Sequence, residues 1–205
     1  MIFYERNGYE VAEICSCRQV EMAKTRIERS GISEEFRKKT FGNFEESPAT
    51  AEAKRICMAY VSDYEKNSLM LSGQVGSGKT HLAIAILNNL LKRGVPVIYL
   101  EYRSFMTRMK QSIMDRDYYA RELERYQKIP VLLIDDLFKG KITESDVQIL
   151  YELINFRYFN KRSTIFTSEK DVNHLLDIDE AVGSRIYEMC RKYRIRMSGD
   201  NYRLR

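Results

Sequence analysis

Apolar residues in this chain fall into short unbroken runs, separated by longer stretches in which they recur every three or four positions. The runs are Leu69-Met70-Leu71, Val97-Ile98-Tyr99-Leu100, Val131-Leu132-Leu133-Ile134 and Thr164-Ile165-Phe166-Thr167. Continuous apolar strands alternating with helical patterns predict a parallel sheet covered on both faces. The helical spacing is clear over residues 51–64, where Ala53, Ile56, Cys57, Tyr60 and Val61 share a face behind a Ser47-Pro48 start, and again over residues 80–93. A last run, residues 195–204, predicts an edge strand or a hairpin turning around Ser198-Gly199-Asp200-Asn201. No internal repeat is visible.

The first 45 residues are polar and mixed. Residues 18–29 have helical spacing and end at Ser30-Gly31, a plausible C-cap, which predicts a short helical extension. Phe36, Phe41 and Phe44 then punctuate a linker and are expected to pin it to the body. The expected organisation is residues 1–45 as extension and linker and residues 46–205 as one α/β domain.

Composition adds boundaries. A chain of 205 residues can bury one sizeable core, and 44% hydrophobic with 31% charged residues is ordinary globular content. No run of eighteen apolar residues exists and Met1 to Arg6 lacks a signal-peptide pattern, so the expectation is a cytoplasmic protein with no membrane partner. Four cysteines make no disulfide framework. Cys57 and Cys190 read as core residues; Cys15 and Cys17 read either as ordinary thiols or as half of a zinc site whose second pair is missing. The net charge of +5 matches the excess between Arg191 and Arg205, where Arg191, Lys192, Arg194, Arg196, Arg203 and Arg205 face only Asp200. That tail suits a phosphate backbone, an acidic partner or simply water.

The strongest chemical signal is Gly73-Gln74-Val75-Gly76-Ser77-Gly78-Lys79-Thr80, which follows an apolar run and opens an amphipathic helix. That is the context required of a G-x-x-x-x-G-K-[ST] match. The glycines let the backbone aim its N–H groups at phosphate oxygens, the helix N-terminus favours negative charge, Lys79 brings a point charge to the β- and γ-phosphates, and Thr80 offers a hydroxyl to magnesium. The nucleotide contacts expected are Gly73, Val75, Gly76, Ser77, Gly78, Lys79, Thr80 and His81. The run ending Ile134-Asp135-Asp136 delivers two carboxylates at a strand's C-terminal end, where open α/β sheets bind ligands. Asp135 is expected on the magnesium beside Thr80, and Asp136 as the group that polarises water. The fold expected is thus a parallel-sheet P-loop NTPase with helices on both faces and a short N-terminal helical extension, with ATP and Mg2+ as ligands.

Three further features have two readings each. Thr167, Ser168 and Glu169 either sense the γ-phosphate or cap a turn before Asp171. Arg185, in Gly183-Ser184-Arg185, either serves a neighbouring subunit's site in trans or forms a surface ion pair. Residues 102–128 carry seven basic side chains interleaved with aromatics, suited to single-stranded nucleic acid, yet Phe105, Met109 and Ile113 also have the spacing of an ordinary amphipathic helix.

Ser30-Gly31-Ile32, the loop from Gly73 to Thr80 with His81-Leu82-Ala83, Ile134-Asp135-Asp136-Leu137, Thr167-Ser168 and Asp179-Glu180-Ala181-Val182-Gly183-Ser184-Arg185-Ile186 together resemble the DnaC/DnaI family of replicative helicase loaders. The resemblance covers most of residues 26–205. It implies an AAA+ core, ATPase activity, a replicative helicase as partner, binding to single-stranded DNA, and a homo-oligomer assembled through ATP interfaces. It makes Lys79 and Thr80 look like the Walker A lysine and magnesium ligand, Asp135 and Asp136 like the Walker B pair, and Arg185 like an arginine finger. Glu169 stands where the family commonly has Asn. An IstB-like transposition helper shares these motifs, and a small-molecule P-loop phosphotransferase shares the first of them.

Overall fold

The computed structural model describes residues 2–6, 9–13, 25, 28–198 and 201–204. Two strands near the N-terminus, β1 (Ile2–Arg6) and β2 (Tyr9–Glu13), pair antiparallel with Ile2 opposite Glu13 and Arg6 opposite Tyr9. This corrects the expectation of a purely helical extension. The signal was present: aromatic and β-branched residues flank Asn7-Gly8, the dipeptide that most favours a two-residue hairpin. Of the expected helix over residues 18–29, positions 25, 28 and 29 are helical; Arg18 to Lys24, like Cys15 and Cys17, lie outside the described residues.

Further along come α1 (Glu34–Arg37), capped by the Ser33 hydroxyl, and α2 (Ala51–Asp63). The main sheet then alternates strand and helix: β3 (Leu69–Gly73), α3 (Lys79–Lys92), β4 (Val97–Glu101), α4 (Tyr102–Gln111), α5 (Arg116–Lys128), β5 (Val131–Asp135), α6 (Glu144–Phe159), β6 (Ser163–Ser168), α7 (Val172–Ile178), α8 (Glu180–Met189) and β7 (Tyr193–Met197). Its order is β4-β5-β6-β3-β7 and every pairing is parallel.

The two-residue period of each strand sends alternate side chains to opposite layers. Met70, Ile98, Leu132, Ile134 and Phe166 join one core with residues of α4, α5, α6 and α8. Leu69, Leu71, Val97, Val131, Leu133 and Ile165 join another with α2 and α3. Both faces are therefore covered, as the unbroken apolar runs predict. Cys190 belongs to the first core and Cys57 to the second. β7 begins two residues before the predicted run and alternates buried with exposed positions, Arg194 and Arg196 facing out, as an edge strand must.

Residues 30–44 do not hang free. Ile32 and Phe44 are buried in the second core, and Phe36 and Phe41 pack against it. Asn88 of α3 donates its amide to the carbonyls of Phe36, Arg37 and Lys39. The Tyr99 N–H of edge strand β4 donates to the Ser30 carbonyl at 2.7 Å. The aromatic pins expected in the linker are in place. The stretch over residues 102–128 is two helices, with Phe105 and Met109 buried and Ile113 exposed in the turn between them. No helix among the described residues is long and apolar enough to cross a membrane.

Candidate nucleotide-binding site

The loop between β3 and α3 is shaped by positions a side chain would spoil. Gly73 has φ 134°, and a Cβ there would lie 2.0 Å from the Met197 carbonyl oxygen of β7. Gly78 caps the fourteen-residue α3 from the left-handed region, at φ 91°, so the first N–H groups of the helix open into the loop. Lys79 follows at once. Its side chain is 6% exposed and its ammonium donates to the carbonyls of Gly73 and Gln74, both at 2.7 Å. Burial lowers its pKa, while Asp136, Glu169 and Asp135 pull the other way.

Across the loop, β5 ends in Asp135, which is 4% exposed. Three hydroxyls converge on this carboxylate: Thr80 donates to Oδ1 at 3.0 Å, Thr167 to the same oxygen at 2.5 Å, and Tyr99 to Oδ2 at 3.1 Å. Burial pushes the Asp135 pKa up; these hydrogen bonds oppose it and the neighbouring Asp136 charge adds to it. Asp136 adopts a left-handed backbone, φ 56°, uncommon for a residue with a side chain. Thr167 holds that turn: its hydroxyl accepts from the Asp136 N–H at 2.9 Å and its carbonyl accepts from the Leu137 N–H at 2.8 Å. The Asp136 carboxylate accepts from Lys139 at 2.7 Å, and Lys139 lies 3.6 Å from Glu169.

The strand order explains this convergence. β6 lies between β3 and β5, so its end stands beside both the phosphate-binding loop and Asp135. Thr167 meets the acids, whereas the Ser168 hydroxyl turns back to the Leu137 carbonyl at 2.8 Å. The Thr-Ser pair is thus the brace of the Asp135–Leu137 turn, more than either reading of it from sequence supposed. Tyr99 was missed by sequence reasoning because it reads as one more apolar position in β4. It pairs with Leu133, so it shares a face with Asp135 two residues on.

The groove above holds about 320 Å³ and is lined by Val75, Gly76, Gly78, Lys79, Thr80 and His81, with Asp136, Lys139 and Glu169 opposite. Phe36, Phe44 and Tyr202 close its far side. His81 reaches the groove rim, but its Nε2 meets the Thr40 carbonyl at 2.9 Å and its ring stacks edge-on against Phe44. Burial lowers its pKa. The groove fits a phosphate chain: Lys79 lines it as a cation, the α3 N-terminus opens at its glycine-rich wall, and in the same loop the buried Ser77 Oγ has no partner among the described residues. Thr80 and Asp135 offer the hard oxygen donors that magnesium prefers.

Arg185 lies elsewhere. It projects from α8 across α6, where Nε donates to Asn155 Oδ1 at 3.0 Å and Nη1 to the Ala181 carbonyl at 2.7 Å. The guanidinium stacks on Tyr151 and Tyr158 at 5.0 and 5.7 Å. No carboxylate among the described residues pairs with it, so the surface ion pair is not formed; aromatic rings and an amide hold it instead.

The profile of the bacterial DnaA ATPase domain matches residues 36–190. Two Bacillus subtilis (strain 168) proteins are similar to the chain: the phage-like element PBSX protein XkdC, 39% identical over 97% of this chain and 79% of its own length, and YqaM, 37% identical over 93% of this chain. The chain spans 64% of YqaM. The replicative helicase loader DnaC of Escherichia coli (strain K12) is 27% identical over 90% of this chain and 80% of its own. Among solved structures, DnaI shares the fold at a TM-score of 0.69, with 24% identity over 82% of this chain and 93% of that one. The parallel five-stranded sheet and the glycine-shaped loop on Lys79 agree with these matches, and the chain belongs to the bacterial DnaA ATPase-domain family, with the helicase loader DnaC and the structure of DnaI among the proteins it is similar to.

Proposed function

We propose that the chain is an ATP-dependent loader of a replicative DNA helicase onto single-stranded DNA, acting as a homo-oligomer assembled through ATP. The observation that carries this reading is the division of the catalytic set. Lys79, Thr80 and Asp136 line one groove, with Asp135 joined to it through the Thr80 hydroxyl, while Arg185 is held ready on a different surface with no acid among the described residues to neutralise it. A group so placed completes a second copy's site better than its own. The similarity to DnaC, named a replicative helicase loader, supports the choice of partner.

In this reading Lys79 exchanges its two carbonyl acceptors for the β- and γ-phosphate oxygens, while Gly73, Val75, Gly76, Ser77, Gly78 and Thr80 line the phosphate path with backbone N–H groups and His81 ties the pocket wall to Thr40. Bound magnesium supplies charge neutralisation across the phosphates, with the Thr80 hydroxyl and the Asp135 carboxylate as its protein donors. Asp136 gives up its bond with Lys139 and accepts a proton from the attacking water, an exchange for which its strained backbone keeps the carboxylate at the groove. Arg185 of a second copy would stabilise charge developing on the γ-phosphate. Hydrolysis then removes the group that joins two subunits, and the assembly lets go of its helicase and DNA.

The test is steady-state ATP hydrolysis with and without single-stranded DNA, across protein concentration, for the chain, Lys79→Ala and Arg185→Ala. DNA-stimulated, concentration-dependent turnover lost in both variants is expected. Turnover indifferent to DNA and to Arg185 would overturn the proposal and favour a phosphotransferase.

A further inference from the structure

At the opposite end of the sheet from the phosphate-binding loop lies a second and larger groove, of about 920 Å³. It is built where β3, β6 and β7 begin: Ser68 precedes β3, Ser163 opens β6, and Arg191 and Lys192 lead into β7. The C-terminal turn of α6 forms one wall. Nothing in the nucleotide site uses it.

Its charge is one-sided. Lys66, Lys161, Arg162, Arg191 and Lys192 are all exposed along it. Only Lys192 has a carboxylate partner, Asp63; the other four make no ion pair among the described residues. The two acids that line the groove are already engaged, Glu65 by the Tyr64 hydroxyl and Glu188 by that of Tyr158.

Beneath them lies another positive charge. Arg157 is fully buried, and its guanidinium donates to the carbonyls of Tyr126, Gln127, Ile129, Pro130 and Ser163 and to the Thr164 hydroxyl. Burial brings its pKa down to about 9, so it stays charged at neutral pH. Carbonyl dipoles solvate this cation but do not cancel it, and through a low-dielectric floor its field reaches the groove with little screening. Phe159, 67% exposed at the rim, presents an aromatic ring among these cations, packed at 5.3 Å against the Tyr158 ring.

We infer that this groove binds single-stranded nucleic acid, with its lysines and arginines on successive phosphates and Phe159 stacked on a base. The cations come from three separate elements of the groove wall, namely the short 3-10 turn Tyr64–Lys66, the loop after α6 and the turn before β7, around a volume of about 920 Å³. Five cations around so large a groove fit a polymer with a repeating charge better than one small anion. A largely exposed ring among them fits base stacking, which carries no sequence preference. The groove also gives a place to part of the basic tail: Arg191 and Lys192 lie in it, while Arg194 and Arg196 stand on the outer face of β7. The inference rests on the loader reading for its ligand class and adds the place where that ligand binds; it is separable from nucleotide binding, since the two grooves share no residue.

The experiment uses the full chain and a fluorescein-labelled oligothymidylate, with anisotropy titrations over a series of salt concentrations and binding of a fluorescent ATP analogue measured on the same samples. Arg162→Glu with Arg191→Glu is expected to weaken oligonucleotide binding about tenfold or more. It should also flatten the dependence of log K on log salt by about 1.4, at about 0.7 for each phosphate that is no longer neutralised. Phe159→Ala is expected to weaken binding at least about fivefold with the salt slope unchanged, the mark of stacking removed without loss of charge. ATP-analogue binding stays as in the parent in both variants. Lys79→Ala, conversely, should lose the analogue and keep the oligonucleotide, which separates failure of this groove from failure of the ATPase reading. Parental affinity and slope in both groove variants would overturn the inference, as would displacement of the oligonucleotide by polyglutamate at equal charge concentration, which would mark the groove as a site for acidic protein segments.

Discussion

Each end of the five-stranded sheet buries a cation among backbone carbonyls, and the two are held in opposite ways. At the C-terminal end Lys79 makes two such bonds, through a single rotatable ammonium, beside a groove that also holds Asp136 and Glu169. At the N-terminal end Arg157 spends all three nitrogens on five carbonyls and a hydroxyl, tying the end of α5 to the starts of β5 and β6. A lysine's donors can leave two partly buried carbonyls at small cost, because phosphate oxygens or water replace one ammonium. An arginine's planar fork cannot easily leave six acceptors at once, three of them fully buried. The first arrangement is a resting position and the second is a staple.

The sharpest way to break this contrast is to remove the staple. Arg157→Leu fills much of the volume but leaves buried carbonyls with no donor, and we expect a loss of about 3–5 kcal/mol. For a chain of this length that lowers Tm by roughly 6–20 °C, at about 2–4 °C for each kcal/mol. Thermal unfolding followed by circular dichroism checks it. A fall of less than about 2 °C would mean that the carbonyls find other partners and that Arg157 is no staple.

Lys79→Ala is the counterpart at the other end. ATP hydrolysis should drop by about 100- to 1000-fold, the usual effect of deleting one preorganised charge from a transition-state site. Tm should move by less than about 2 °C, since the two bonds given up, to the carbonyls of Gly73 and Gln74, are only partly buried. A large loss of stability here would erase the distinction between the two ends.

The same contrast bears on what the sequence made legible. Residues 73–80 and Asp135 could be read because each is a local pattern whose meaning is set by what precedes and follows it, a strand, a turn and a helix. The five-stranded parallel core could be read from its apolar runs for the same reason. Tyr99 and Arg157 could not, and Thr167 could be singled out but not given its partner, because their roles depend on strand register and strand order. Tyr99 reaches Asp135 only because β4 pairs with β5 in the register that sets it opposite Leu133. Thr167 does so only because β6 is inserted between β3 and β5. Arg157 did leave a trace: with Ile149, Leu150, Leu153 and Ile154 it falls on the buried stripe of α6, and a cation in such a stripe signals a buried acceptor set. At the N-terminus, Asn7-Gly8 announced a hairpin that polar composition outweighed.

Tyr99→Phe tests how finely the C-terminal end is tuned. It removes one hydroxyl from a carboxylate that keeps two others, so the expected effect is about 1 kcal/mol, or roughly fivefold weaker binding of Mn2+ in the presence of an ATP analogue. Electron paramagnetic resonance of free Mn2+ measures this directly and independently of turnover. The fold should be untouched, because the Phe36 ring still packs edge-on against the substituted ring. Unchanged Mn2+ affinity would show that Thr80 and Thr167 alone orient Asp135.

The smallest effect expected is also the most diagnostic of a site held against its own stability. Burial raises the Asp135 pKa above that of a free carboxylate, about 3.9, even with three hydroxyls donating to it. An acid whose folded pKa is raised adds stability below its unfolded pKa, and that contribution is lost as pH climbs through the folded value. At neutral pH the fold therefore holds a carboxylate it would rather have protonated. Asp135→Asn removes that charge and keeps an acceptor of the same shape, so it should raise Tm at pH 7 by about 1–3 °C. The gain should shrink as the pH of the melts is lowered through the raised pKa, where the parent carboxyl itself takes up a proton. Arg157 has no such bargain to reveal, since its substitution lowers Tm throughout that pH range. A destabilised Asp135→Asn at pH 7 would mean that the three hydroxyls more than offset burial, and that the C-terminal end of the sheet is stapled as firmly as the other.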